Sequence, residues 1–465
     1  MDDGASAALE QARRLKAAGR PDEALACNRR AVELAPASGV AAHNLAATLG
    51  DLGRYGAALE WTRRAMALGT RGPETWLVHA RMAQGCGDLD GAERAYEEAI
   101  RLRPDYLEAH RDLSQLVWMR HADAARACRA LDARIAAGGG TADLLALKAR
   151  VQDCAGDAVG AAATLDRAVA RAPGLAPLRI ARAHLAAEAG DADRHLAEAT
   201  AALQADRGSH AAAKCAVEAL LHKGQAAEAA ALAERILGAV PGDQGVLALL
   251  LTAWRMLGDP RHEALCADPA LVSMQTIATP PGWPDRAAFL ADLAAALRAR
   301  HRWKTHPLDQ SLRHGSQTQE DLTRLEEPAI VALFGQLRLL IARHIAALGP
   351  GDDPVRARAT GAFRLGPAWS VALRPGGFHT DHVHPQGWLS SAFYVDVPEA
   401  VNEGRQGWLS LGRPGVPTRP ALEPFRALRP EPGALAIFPS CLWHGTEPFG
   451  GERTRLTVAF DILPA

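Results

Sequence analysis

Trp76 to Pro104 reads WLVHARMAQGCGDLDGAERAYEEAIRLRP. Two apolar-periodic stretches flank Gly87, and Pro104 closes the second of them. A glycine between two helical stretches marks a tight turn that needs positive φ. Proline at the end of the second stretch stops a helix. Outward from here the pattern recurs. Gly19, Gly53 and Gly87 are spaced by 34 and 34, and Gly156, Gly190, Gly224 and Gly258 by 34, 34 and 34. Gly87 and Gly156 are 69 apart, two periods plus one residue, so one repeat near His121 lacks its glycine. A small residue follows five positions after the glycine at Ala24, Ala58, Ala92, Ala161 and Ala229, where helices can approach closely. Pro36, Pro104, Pro173 and Pro241 stand seventeen positions after it.

Period and positional chemistry agree. Trp76, Gly87, Ala92, Tyr96, Ala99 and Pro104 fit a 34-residue helix-turn-helix unit, and the segment resembles the tetratricopeptide repeat over residues 5–258. The last piece is a half-repeat at Gln244–Gly258. The resemblance implies an all-α superhelix with a groove that takes a protein or peptide partner. Prolines at 260, 269, 280, 281 and 284 then end the period, so residues 259–285 are expected to be a linker.

Composition narrows the function classes. The chain has 465 residues, 48% of them hydrophobic and 23% charged, which is ordinary for folded domains. The net charge of −1 argues against nucleic-acid binding through a global positive field. No uninterrupted apolar run approaches a membrane span; the best is Val246–Trp254. Met1-Asp2-Asp3-Gly4 is acidic, with no basic and then apolar leader, so a cytoplasmic location is expected. The seven cysteines are scattered and form no CxxC pair, which disfavours a disulfide framework.

After Gly349-Pro350 the texture changes to alternating β-branched and aromatic runs between Gly and Pro turns. Strands are predicted at Gly361–Leu365, Trp369–Leu373, His379–His384, Leu389–Val397, Gly407–Leu411, Ala434–Phe438 and Arg455–Leu463. So many short strands indicate a sandwich or barrel, with helices Ala287–Arg300 and Pro328–Ala347 against one sheet. Within Gly377-Phe-His-Thr-Asp-His-Val-His-Pro385, residues i and i+2 of a strand share a face. His382 and His384 therefore project together, and His379 and Asp381 on the opposite face if the strand stays regular. Two ligands on one strand and a distant third, His444, make the layout of a facial triad with open positions. Arg455 and Thr457 share a face of the last strand, and a buried arginine there would need an anion.

The segment His382-x-His384-Pro-x-Gly-Trp-Leu-Ser-Ser-x-Phe-Tyr394, with Pro432-Gly433, Phe438-Pro-Ser440, His444 and Arg455, resembles the 2-oxoglutarate/Fe(II)-dependent oxygenases. More narrowly it is similar to their bacterial and phage branch, in which Gln310–Thr318 also recurs. The resemblance covers about residues 280–465, and the domain is assigned to 286–465. It implies a double-stranded β-helix that uses Fe(II) and 2-oxoglutarate. It also implies a distal iron ligand at His444 and a 2-oxoglutarate carboxylate on Arg455, with Thr457 and Tyr394 beside the cosubstrate. The wider superfamily pairs His with a carboxylate on the first strand, whereas the narrower branch has HxH. Both patterns stand here: His382 and His384 form the favoured pair, His379 and Asp381 the alternative. Fused repeats suggest a protein substrate, by analogy. Two other readings compete: a tetratricopeptide scaffold with a silent barrel, and a cupin-like metal enzyme that does without 2-oxoglutarate.

Overall fold

The computed structural model describes residues 3–465. They form two compact units, one ending at Thr164 and one running from Leu165 to Ala465. The first is built from helices Asp3–Ala17, Pro21–Leu34, Gly39–Asp51, Tyr55–Ala67, Pro73–Gly85, Leu89–Leu102, Leu107–His121, Ala124–Ala136 and Ala142–Cys154, and the start of Ala158–Arg171. Neighbouring helices pack pairwise, and Ala24, Ala58, Ala92 and Ala161 are fully buried. Asp88, Asp123 and Thr141 each cap a helix by accepting a main-chain N–H.

The second unit opens with the remaining repeat helices: the end of Ala158–Arg171, then Ala176–Glu188, Ala192–Ala205, His210–His222, Ala226–Ala239 and Gln244–Leu257. Nine strands follow. They are β1 (Ser273–Thr276), β2 (Leu312–Gln317), β3 (Phe363–His382), β4 (Leu389–Asp396), β5 (Leu409–Leu411), β6 (Arg426–Leu428), β7 (Ala434–Pro439), β8 (His444–Thr446) and β9 (Arg455–Pro464). They hydrogen-bond in the order β1-β7-β4-β9-β3-β8-β5-β6, with β2 also on β3, and every pairing is antiparallel. This nearly closed, barrel-like sheet is consistent with a jelly roll.

The stretch expected to be a linker holds helix Pro260–Cys266 and β1. β1 pairs with β7, so it is an edge of the sheet. Four residues, Ser-Met-Gln-Thr, are too few for alternation to show in sequence. Three predicted strands merge into the 20-residue β3. Its first part pairs with β9, and it then turns at Pro375-Gly376-Gly377 to pair with β8. Gly377 has no room for a side chain: a Cβ would lie 2.6 Å from Arg374 O and 3.0 Å from His314 O.

Helices Arg286–Arg298 and Pro328–Leu348 cover the sheet. The second is the described helix long and apolar enough to cross a membrane, although Arg338 and Arg343 interrupt its apolar run. Its Ile330, Leu333, Leu337 and Ile341 are buried in the sheet core, and Phe334 meets Phe460 edge-on at 6.3 Å. The last repeats pack directly on the β-domain. Trp443 buries its ring among Val217, Leu221, Val246, Leu249 and Leu250, and its Nε1–H donates to Thr252 Oγ1 at 3.0 Å. Arg255 donates to the carbonyls of Gly412 and Glu423, both at 2.8 Å. Trp388 and Trp408 pack within the β-domain, donating to Val355 O and Val401 O.

Gly19, Gly53, Gly87, Gly156, Gly190, Gly224 and Gly258 all take positive φ, from 66° to 84°. The repeat without its glycine solves the same problem with Ala122, which closes helix Leu107–His121 at φ 56°, ψ 37°. Ala122 stands 34 residues before Gly156, in the glycine's place. A left-handed alanine costs roughly 1–2 kcal/mol, part of which glycine gives back through a looser unfolded chain. Ala122→Gly should therefore stabilise the protein by up to about 1 kcal/mol in urea unfolding. A loss of stability would contradict this account of the turn.

Candidate metal centre

The pairing of β3 with β8 sets His382 directly across from His444. His384 follows two residues on, its N–H bonded to Ser440 O at 3.2 Å. Potential ligand atoms of the three histidines lie within 4.8 Å of one another. Ring centroids are 4.3 Å apart for His382 and His444, 5.0 Å for His384 and His444, and 5.2 Å for His382 and His384. Their tautomers follow from their partners. Nδ1 of His382 is 2.8 Å from Thr380 O, Nδ1 of His444 is 3.0 Å from Leu442 O, and Nδ1 of His384 is 2.5 Å from Asp461 Oδ1. Those oxygens only accept, so each Nδ1 carries the proton and each Nε2 keeps a lone pair for a metal. Burial holds the pKa of His382 down to about 4, helped by neighbouring His384, and that of His444 well below the usual range. Both are neutral at neutral pH, the state a metal needs.

The alternative pair separates. A register shift between His379 and His382 breaks strict alternation, so His379 lines the same cavity as His382 instead of the opposite face. Its ring is 6.0 Å from that of His382, and its Nδ1 is 3.1 Å from Ser311 Oγ. Asp381 turns away. Its Oδ2 accepts from Arg413 Nε at 2.6 Å, and Arg413 also reaches Glu447 at 3.0 Å. Burial raises the Asp381 carboxyl pKa, with Arg413 opposing.

Arg455 and Thr457 both line the cavity, as their shared face predicts. Arg455 is 2% exposed, its Nε–H has no hydrogen-bond partner, and its Nη1 reaches Thr446 Oγ1 only at 3.4 Å. A buried guanidinium so poorly satisfied is suited to an anion such as a carboxylate. Tyr394 is fully buried behind it, with Arg455 Cζ 5.0 Å from the ring centre, and is absent from the cavity wall. Arg453 lies outside, paired with Asp396 at 2.9 Å.

The cavity encloses about 510 Å³. Val371, Leu409, Phe438 and Ala459 give it an apolar wall, while the exposed Asp309, Gln310, Pro385 and Gln386 mark its rim. Two contributors were not singled out from sequence. Ser311, inside the noted polar stretch, places Oγ 3.3 Å from His382 Nε2. Asp461 has the same parity on β9 as Arg455 and Thr457, a signal that alternation alone could have supplied. A second donor group, His184, Cys215 and Glu218, lies between repeat helices. There His184 and Glu218 are already ion-paired at 3.2 Å.

These contacts separate the two candidate pairs. Asp381→Asn should leave divalent-metal binding within a few-fold of the parent, because Asp381 faces Arg413. His382→Ala and His444→Ala should each abolish it. Isothermal titration with Co(II) makes the comparison, and loss of binding in Asp381→Asn would restore the alternative pair.

Residues 367–461 match the family model described as "Putative 2OG-Fe(II) oxygenase", and residues 73–106 match that of the tetratricopeptide repeat. No curated protein matches the chain. Similar solved structures include a tetratricopeptide repeat protein from Parabacteroides merdae, at 15% identity over 54% of this chain and 98% of that one, TM-score 0.38. Another is PilF of Pseudomonas aeruginosa, at 17% identity over 45% and 96%, TM-score 0.34. A third is the thermophilic protein TTC0263 of Thermus thermophilus, at 23% identity over 47% and 99%, TM-score 0.28. The chain thus joins N-terminal tetratricopeptide repeats to a C-terminal domain matching the 2OG-Fe(II) oxygenase family.

Proposed function

We propose that this chain is a 2-oxoglutarate- and Fe(II)-dependent dioxygenase that hydroxylates a protein or peptide recruited by its repeats. The observation that carries this reading is the convergence, in one cavity, of three histidines whose potential ligand atoms lie within 4.8 Å of one another and a buried arginine with an unpaired N–H. The residues fit the group. His382, His384 and His444 would hold the metal, and fewer protein ligands than a closed site leave positions for other ligands. When bound, Fe(II) supplies the oxidising chemistry by which O2 converts 2-oxoglutarate to succinate and CO2 and places one oxygen atom on the substrate.

The chain's own part is binding, orientation and exclusion of water. Arg455 binds the distal carboxylate of 2-oxoglutarate by charge-assisted hydrogen bonds, which are the stronger kind. Thr457, beside Arg455 on the cavity wall, offers its hydroxyl to the same carboxylate. The three Nδ1–H contacts keep the imidazoles from turning and leave each Nε2 as the nitrogen free for a metal. Val371, Leu409, Phe438 and Ala459 give the cavity an apolar wall that limits water.

The repeats bear on the substrate through the rim. Pro385, at the cavity mouth and next to His384, accepts a hydrogen bond from the N–H of Gln244, the first residue of the last repeat helix. A peptide held by that part of the array would lie beside the cavity opening, which supports a macromolecular substrate. A tetratricopeptide surface is also the expected place for such a partner.

The test is succinate release from 2-oxoglutarate with Fe(II) and O2. The parent protein should turn over, His444→Ala should fall to background, and Arg455→Ala should raise the KM for 2-oxoglutarate by roughly 10- to 100-fold. Turnover retained in His444→Ala would reject the reading.

A further inference from the structure

Three histidine ligands bring no charge. A divalent cation held by them in a cavity that also contains the buried Arg455 guanidinium would sit among uncompensated positive charges, which is costly away from water. The carboxylates on this cavity's wall are Asp309, exposed at the rim, and Asp461. Asp381, the acid nearest in sequence, is committed to Arg413.

Asp461 stands apart by its geometry. His382 and His444 give their Nδ1–H to neutral main-chain carbonyls, whereas His384 gives its own to a carboxylate oxygen. The same Oδ1 accepts from Ser390 Oγ at 3.0 Å, and Ser390 Oγ lies 2.9 Å from Ser440 Oγ. Gly387 lets this group close up: a Cβ there would lie 2.2 Å from Ser440 Oγ and 3.4 Å from Asp461 Oδ1. Among the described residues Asp461 has no ion pair with a lysine or arginine, so its charge is directed at His384. A carboxylate behind a ligating imidazole fixes the ring and raises its basicity.

We propose that Asp461 is a positioning residue that supplies, through His384, the negative charge a three-histidine metal site lacks. This inference rests on the metal-site reading above. In its terms, the His384–Asp461 pair does the work of a directly ligating carboxylate with one imidazole interposed.

Asp461→Asn tests the charge, since the amide oxygen can still accept from Nδ1–H. Asp461→Ala removes both charge and contact. The probe is Co(II) alone, titrated into the full chain at fixed pH without 2-oxoglutarate and followed by its visible absorbance. Asp461→Asn should bind roughly 10- to 100-fold more weakly than the parent, and Asp461→Ala at least as weakly. Circular dichroism of the metal-free variants should match the parent. If Asp461→Asn does not fold, the parent protein still decides: its Zn(II) form should show a strongly deshielded Nδ1–H proton resonance that Ser390→Ala shifts. Asn binding as tightly as Asp, or no such resonance, overturns the role of Asp461 alone. A parent chain that binds no divalent metal overturns the metal-site reading and this inference with it.

Discussion

The antiparallel pairing of His382 on β3 with His444 on β8 is the constraint from which the rest of the site follows. It brings together residues far apart in sequence, and it depends on β3 changing partners. Up to Leu373 the strand is committed to β9; from His379 it belongs to β8. Gly377 makes the turn possible because two main-chain carbonyls crowd the position of its missing Cβ. Arg455 enters by the same logic: it pairs with Leu373, the last residue of β3 bonded to β9, so the cationic end of the cavity lies beside the bend.

The electrostatic design is uneven. The neutral imidazoles of His382 and His444 share the cavity with a buried guanidinium, and burial lowers the pKa of Arg455 from its usual value. On the proposed reading, a dianionic cosubstrate and a metal cation would enter such a set together, each offsetting the cost of the other. The neighbouring repeats add rigidity. Trp443 precedes His444 and is locked into the repeat core through Thr252, so the backbone of His444 is held from outside the β-domain.

Much of this was legible in the sequence, for definite reasons. Glycine at one turn per repeat leaves a strict period, because few other residues take positive φ cheaply. The exception, Ala122, broke the glycine pattern but kept the turn. His382, His384, His444, Arg455 and Thr457 reached one cavity as their order suggested. Alternation failed where the backbone is irregular: the register shift between His379 and His382 turned His379 into the cavity and left Asp381 to Arg413. β1 and β8, with four and three residues, are too short to carry a periodic signal. Trp443 packs against repeat helices from another part of the chain, a contact that no local pattern in the sequence announces. Tyr394, placed beside the cosubstrate from sequence, lies behind Arg455 because its ring is packed into the core.

The central claim is that one cavity holds a metal on three histidines and an anionic cosubstrate on Arg455. The most direct measurement is anaerobic addition of Fe(II) and 2-oxoglutarate to the purified chain, followed in the visible range. The account predicts a weak metal-to-ligand charge-transfer band that is lost in Arg455→Ala while iron stays bound. Iron bound with no such band, or a band unchanged in Arg455→Ala, would contradict it.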